Sequence, residues 1–126
     1  MKDKVKVVIA HRMGKGQNVA KGVEAAGGEA IVIPGIGADM KLGKVMHDEN
    51  ADLGISFCGG GGGGALAAKN QYGYNATYDL RSVVAGVNAV NNGYVALGFG
   101  FMDTEELGKA IVEAYYKKYG SEMGGK

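Results

Sequence analysis

The chain has 126 residues, with 14 basic against 13 acidic side chains, which suits one compact domain over residues 1–126 and leaves no charged surface for nucleic acid or an anionic membrane. One cysteine excludes an internal disulfide, and two histidines with one thiol are too few for a protein-only zinc site, so neither a metal nor a cofactor is expected and a cytoplasmic setting is. The 24 glycines fall in every predicted turn without a collagen period, which points to a loop-rich folded domain.

Met1 to Lys6 is charged and leads straight into a strand, with no signal peptide expected and no apolar run long enough to enter a bilayer. Val5 to Ala10 is an almost unbroken β-branched run, as in a strand buried on both faces of a parallel sheet. The loop after it reads His11-Arg12-Met13-Gly14-Lys15-Gly16. Two uses stay open for His11 and Arg12: a solvated surface pair, or an anion site in which arginine is the bidentate partner. Gln17 to Ala26 is a helix with Val19, Val23 and Ala26 on one face, ended by Gly27-Gly28. Glu29 to Pro34 is a second strand. Asp39 to Asn50 reads as a helix carrying Met40, Val45 and Met46, interrupted by Gly43, with His47 facing solvent.

Leu53, Ile55 and Phe57 form a third strand that ends in the single cysteine, Cys58. Six glycines, Gly59 to Gly64, then lead into a helix from Ala65 to about Gln71. Asn75 to Asp79 is a short strand, with Asp79 either capping the next helix or contacting a substrate hydroxyl. Arg81 to Asn91 carries Val83, Val84, Val87 and Val90 at helical intervals, and Tyr94 to Gly98 is the fifth strand. Asp103 to Glu106 is a capping box, with Asp103 accepting from the helix N–H groups. The last helix has Leu107, Ala110, Ile111, Ala114 and Tyr115 as its stripe and Lys117 and Lys118 near its end. Five strands alternating with helices imply a three-layer α/β/α fold around a five-stranded parallel, Rossmann-like sheet.

The chain is organised around Asp52 to Lys69. A ligand in an open parallel sheet binds at the carboxyl ends of strands, where loops enter helix amino-termini. Six residues without side chains let a substrate approach the backbone and aim several N–H groups at an anion. The alternative is a low-complexity linker, against which stand the strand before it, the helix after it and the thiol at the hinge. Cys58 itself is either a small core residue or a functional thiol. Gly59-x-Gly61-x-x-Gly64 followed by Asp79 also satisfies a dinucleotide fingerprint, but any hexaglycine would, and the loop lies in the third unit, so a nucleotide-binding domain is only a second alternative.

From Ala51 to Tyr116 the order of residues resembles the type B ribose-5-phosphate isomerases and galactose-6-phosphate isomerase subunits. The matching elements are Ala51-Asp52-Leu53-Gly54-Ile55, Cys58-Gly59-Gly60-Gly61-Gly62-Gly63, Ala67-Ala68-Lys69-Asn70, Tyr78-Asp79 and Val95-Ala96-Leu97-Gly98. Ser56-Phe57-Cys58-Gly59-Gly60 is also similar to a bacterial glycine-rich family named for a Ser-Phe-Cys-Gly-Ser motif. The first resemblance implies an aldose–ketose isomerase acting on a small phosphorylated sugar, with Cys58 as the base and the Gly59 to Gly64 amides stabilising an enediolate. By the same resemblance His11 and Arg12 would serve as phosphate or ring-opening groups.

This sequence departs from the isomerase pattern at Gly60, where a threonine is expected, and at Arg12, where a histidine is. Ala89 and Val90 replace a His-Asn pair, and Gly100 replaces an arginine. These losses motivate the alternative of a non-catalytic sugar-phosphate-binding or assembly subunit in carbohydrate uptake. Tyr115, Tyr116 and Tyr119 suggest a partner surface, and the resemblance implies a homodimer or a mixed oligomer.

Overall fold

The computed structural model describes residues 4–123; the charged start expected at residues 1–3 lies outside them. Five strands form one parallel sheet: β1 (Lys6–His11), β2 (Glu29–Val32), β3 (Leu53–Phe57), β4 (Ala76–Leu80) and β5 (Ala96–Phe99). Their order is β2-β1-β3-β5-β4, so the winding direction reverses between β1 and β3. Five helices connect or follow them: α1 (Gln17–Ala25), α2 (Leu42–Glu49), α3 (Gly63–Tyr72), α4 (Val83–Asn91) and α5 (Glu105–Met123). The three-layer α/β/α fold expected from the sequence is what the chain adopts.

Apolar runs became central strands and the polar ones became edges. β3 and β5 are buried at every position, whereas β2 and β4 are half-buried at best. Ile9, Ile55 and Leu97 stand in register across the centre, and Phe57 is paired with Phe99.

The two faces of the sheet differ. One presents Val7, Ile9, Leu53, Ile55, Phe57, Leu97 and Phe99 to a large apolar core with α1, α4 and α5. The other presents Val8, Ala10, Gly54, Ser56 and Ala96, so α2 and α3 settle very close to it. A Cβ on Gly54 would collide with the Met46 side chain, and one on Gly43 would lie 2.9 Å from both Ala68 Cα and Tyr72 Cδ2. Gly43, which breaks the helical pattern in sequence, is thus the contact point of α2 and α3.

Several local expectations are corrected. The helix predicted over Asp39–Asn50 begins as a 3-10 turn at Ala38–Lys41 and is α-helical only from Leu42. α3 starts at Gly63, two residues inside the glycine run. Asp103 does not cap α5: Thr104 Oγ1 accepts from Leu107 N–H at 3.2 Å, while the Asp103 carboxylate accepts from Gly16 N–H at 3.3 Å and Val19 N–H at 2.9 Å, capping α1 instead. Asp79 does not cap α4, because Ser82 Oγ accepts from Ala85 N–H at 3.0 Å. The Tyr116 hydroxyl accepts from Val5 N–H at 3.1 Å and donates to Gly27 O at 2.7 Å, tying α5 to the start of the first strand. α5 continues to Met123, so Lys117 and Lys118 lie before its last turn.

Candidate functional site

The carboxyl ends of β1 and β3 meet at the winding reversal, where an open parallel sheet leaves a crevice. Cys58 follows β3 there, 8% exposed. Its Sγ accepts N–H bonds from Gly62 at 3.2 Å and Gly63 at 3.4 Å, the residues at the amino-terminus of α3. The thiol pKa is lowered on balance. Burial, the largest single influence, pushes it up, but the amides of Gly63, Gly62 and Gly60 together pull it down further, while Asp39 opposes them. Relative to an ordinary cysteine, the backbone donors at the start of α3 thus ease loss of the thiol proton.

The glycine loop is rigidly tied, not a trailing linker. Gly61 N–H donates to Cys58 O at 3.2 Å, Ser56 Oγ donates to Gly62 O at 3.1 Å and accepts from Ala65 N–H at 3.2 Å, and Asp79 N–H donates to Gly61 O at 2.7 Å. Gly61 and Gly62 have φ of 97° and 94°, which side-chain-bearing residues rarely adopt. A Cβ on Gly62 would run into the backbone of Gly98 and Phe99, and one on Gly64 into Asp39 O. Glycine is thus demanded at 61, 62 and 64 by shape, whereas a Cβ on Gly63 would meet nothing within 4 Å. Gly59 and Gly60 are exposed at the mouth of the loop.

His11, at the end of β1, is 4% exposed, so it is not part of a solvated surface pair. Its ring stacks on Phe101 with centroids 5.0 Å apart and tilts against Phe57 at 5.7 Å. Nδ1 accepts from Met13 N–H at 2.9 Å, which places the proton of the neutral ring on Nε2. Burial is the main reason its pKa is lowered; Asp103 and Asp39 pull it back up and Lys15 pushes it further down. His11 is a neutral hydrogen-bond donor, and the positive charge of this loop comes from the exposed Arg12 and Lys15.

Arg12 reaches a residue that sequence reasoning treated only as a helix start. Asp39 is 1% exposed at the 3-10 turn after β2, with Oδ2 a long 4.0 Å from Arg12 Nη1 and Oδ1 without any hydrogen-bond partner among the described residues. Its position after the Gly35-Ile36-Gly37 turn at a strand's carboxyl end was the available signal. Asp79 is exposed and bound to Arg81, whose Nη2 and Nε lie 2.7 and 2.9 Å from its Oδ1. The Arg81 guanidinium also flanks the glycines: a Cβ on Gly100 would lie 2.9 Å from its Nη1 and one on Gly61 3.3 Å from its Nη2. A cation therefore stands at Gly100 although the sequence has none there. Asp79 is thus engaged by Arg81, and the Gly62 and Gly63 amides by sulfur. His47 is exposed and away from this cluster, stacked on Tyr72 at 5.1 Å. No cluster of three metal-ligating side chains occurs among the described residues, and none of their helices is long and apolar enough to cross a membrane.

Fold and strand-end site together define a parallel α/β protein with the sugar-phosphate isomerase-like fold. Type B ribose-5-phosphate isomerase from Trypanosoma brucei superposes with a TM-score of 0.64 at 18% identity, covering 98% of this chain and 96% of that one. The Clostridium thermocellum enzyme gives 0.63 at 21%, covering 95% and 93%. Ribose-5-phosphate isomerase B from Mycoplasma genitalium, determined with bound ribulose-5-phosphate, gives 0.62 at 18%, covering 90% and 84%. At such identities the likeness is one of fold. No curated protein matches the chain. Its family is nonetheless defined: residues 5–118 match the model of the glycine-rich SFCGS family, and the chain belongs to it. The naming motif falls at Ser56 to Gly60, the strand end and loop just described, with Gly60 in the place of its last serine.

Proposed function

We propose that this protein catalyses aldose–ketose isomerisation of a small phosphorylated sugar, with Cys58 as the base. The observation that carries the proposal is the pair of N–H bonds from Gly62 and Gly63 to Cys58 Sγ, which prepare a thiolate at the crevice. A thiolate so placed takes the proton from the carbon next to the carbonyl. As the sulfur becomes a neutral thiol, negative charge moves to the sugar oxygen, and the same fixed amides are released to meet it. The donors thus serve the charge at both ends of its path without reorganising. His11 offers its Nε2–H to a sugar oxygen, and Arg12 and Arg81 are the cations that would hold the phosphate.

The test is deuterium exchange from heavy water into a panel of pentose and hexose phosphates, alongside isomerisation assays. Cys58→Ser is expected to abolish both. Exchange that persists in Cys58→Ser would remove the base. The reading of a binding or assembly subunit has one observation in its favour, the exposure of both Arg12 and Arg81, whose side chains are 60% and 59% accessible. Sugar-phosphate binding without exchange in the wild-type protein would select it.

Our proposal extends to assembly and location. Met13, Ile36 and Phe101 on loops after the strands and Met40 in the 3-10 turn are exposed, and such apolar surface supports a homodimer or mixed oligomer, to be read from molar mass by light scattering. A thiol held toward its thiolate is best preserved in a reducing cytoplasm.

A further inference from the structure

Asp39 is the one described residue whose buried side-chain polar atom has no partner. Its side chain is 2% accessible, Oδ2 is only 4.0 Å from Arg12 Nη1, and Oδ1 meets no donor among the described residues. Buried acceptors are normally satisfied, so an exception at a strand end beside a reactive group calls for a role. Several facts put it beside the other candidates. Its carbonyl oxygen packs against Gly64 in the first turn of α3, so that a Cβ there would collide with it. Arg12 follows His11 directly, and its carbonyl oxygen accepts from Gly37 N–H at 2.6 Å, pinning the β2 loop to the β1 loop. The charge of Asp39 is felt by both Cys58 and His11.

Resting on the isomerase reading, we infer that Asp39 is a second catalytic residue, the carboxylate that carries the hydroxyl proton between the two oxygens of the enediolate. The need for one follows from the chemistry. From the aldose, the Cys58 thiolate takes the proton on C2, the C2–H electron pair becomes the C1–C2 double bond, and the carbonyl π pair moves to O1. To finish as a ketose, O2 must lose its proton and O1 must gain one. Asp39 Oδ1 accepts the proton from O2 and delivers it to O1. The O2 lone pair then forms the new carbonyl as the double-bond pair takes the proton from the Cys58 thiol at C1. Thiolate and carboxylate both return to their starting forms. The loop amides cannot do this, since an N–H donor can stabilise an oxyanion but cannot take a proton from a hydroxyl.

The test compares wild type, Asp39→Asn and Asp39→Glu with ribose 5-phosphate, ribulose 5-phosphate and a hexose 6-phosphate in heavy water, measuring carbon-bound exchange and net isomerisation together. Asp39→Asn is expected to keep exchange while isomerisation falls by about 100-fold, so the ratio of exchange to isomerisation rises by the same factor. Asp39→Glu, which keeps the carboxylate, is expected to recover part of that loss. Damage to the fold would lower both rates in parallel and leave the ratio where it was. An unchanged ratio in Asp39→Asn, at whatever absolute rate, overturns the inference. A wild-type protein that neither exchanges nor isomerises any of these sugars overturns the isomerase reading itself, and this inference falls with it.

Discussion

The halves of the site contributed by β3 and by β1 are built differently. After β3, the sulfur, the amides of Gly62 and Gly63, and Ser56 are held by mutual hydrogen bonds around a turn whose positive φ at Gly61 and Gly62 favours glycine. After β1, His11 is buried and neutral, but Arg12 lies in solvent with a 4.0 Å ion pair as its tie. On the proposed isomerase reading, the rigid half would prepare a charge on an atom that must not move, and the looser half would offer a cation on a long side chain for a phosphate to recruit. Chemistry demands preorganisation, whereas phosphate recognition tolerates a flexible reach.

Substitutions should reveal this contrast as a descending series. Cys58→Ser should cost about 1000-fold or more in carbon-proton exchange while leaving the melting temperature near wild type, because the general base goes and the volume stays. Gly62→Ala should cost about 3 kcal/mol of stability in denaturant titration, since positive φ and a backbone collision with Gly98 add. Gly63→Ala, one residue on with open space around it, should stay within about 0.5 kcal/mol of wild type. Equal losses at 62 and 63 would mean that the loop is not held by shape.

In the β1 half the effects should be smaller. Asp103→Ala removes the cap that α5's approach supplies to α1 and should cost about 1 kcal/mol. Burial holds the His11 ring below its ordinary 6.5, so as pH falls through that value the unfolded chain takes up a proton that the fold resists. Stability should therefore decline on acidification from that pH and level off below the folded pKa, and His11→Gln should flatten the decline. Arg12→Ala should alter stability by less than about 0.5 kcal/mol and show itself only as weaker, salt-sensitive binding of sugar phosphate. A large loss of stability from Arg12→Ala would erase the distinction between the two halves.

Much of this was legible in residue order. The β-branched run ending at Ala10, the alternation Leu53-Ile55-Phe57 and the spacing of Val83 to Val90 carried strands and helices because burial imposes those periods directly. Cys58 beside the glycine run marked the strand end because at Gly61, Gly62 and Gly64 only glycine fits so close to its neighbours. The errors share one cause. Asp103 looked like the cap of its own helix, yet it caps a helix 84 residues earlier in the chain. Tyr116 was read only as part of a partner surface, and its hydroxyl also ties Val5 to Gly27. A side chain able to satisfy a near neighbour or a remote one is read locally by default.

Sequence by itself therefore determined the layers, the central strands and the place of the thiol, since these rest on local periodicity and on steric limits that act residue by residue. Only the tertiary structure decided which donors face the sulfur, that Arg81 stands against Gly100, and that Asp39 is buried with an unpaired oxygen. Hydrogen bonds and burial are set by what arrives from distant parts of the chain, and that arrival exists only once the sheet has closed its order and the loops at its carboxyl edge have met.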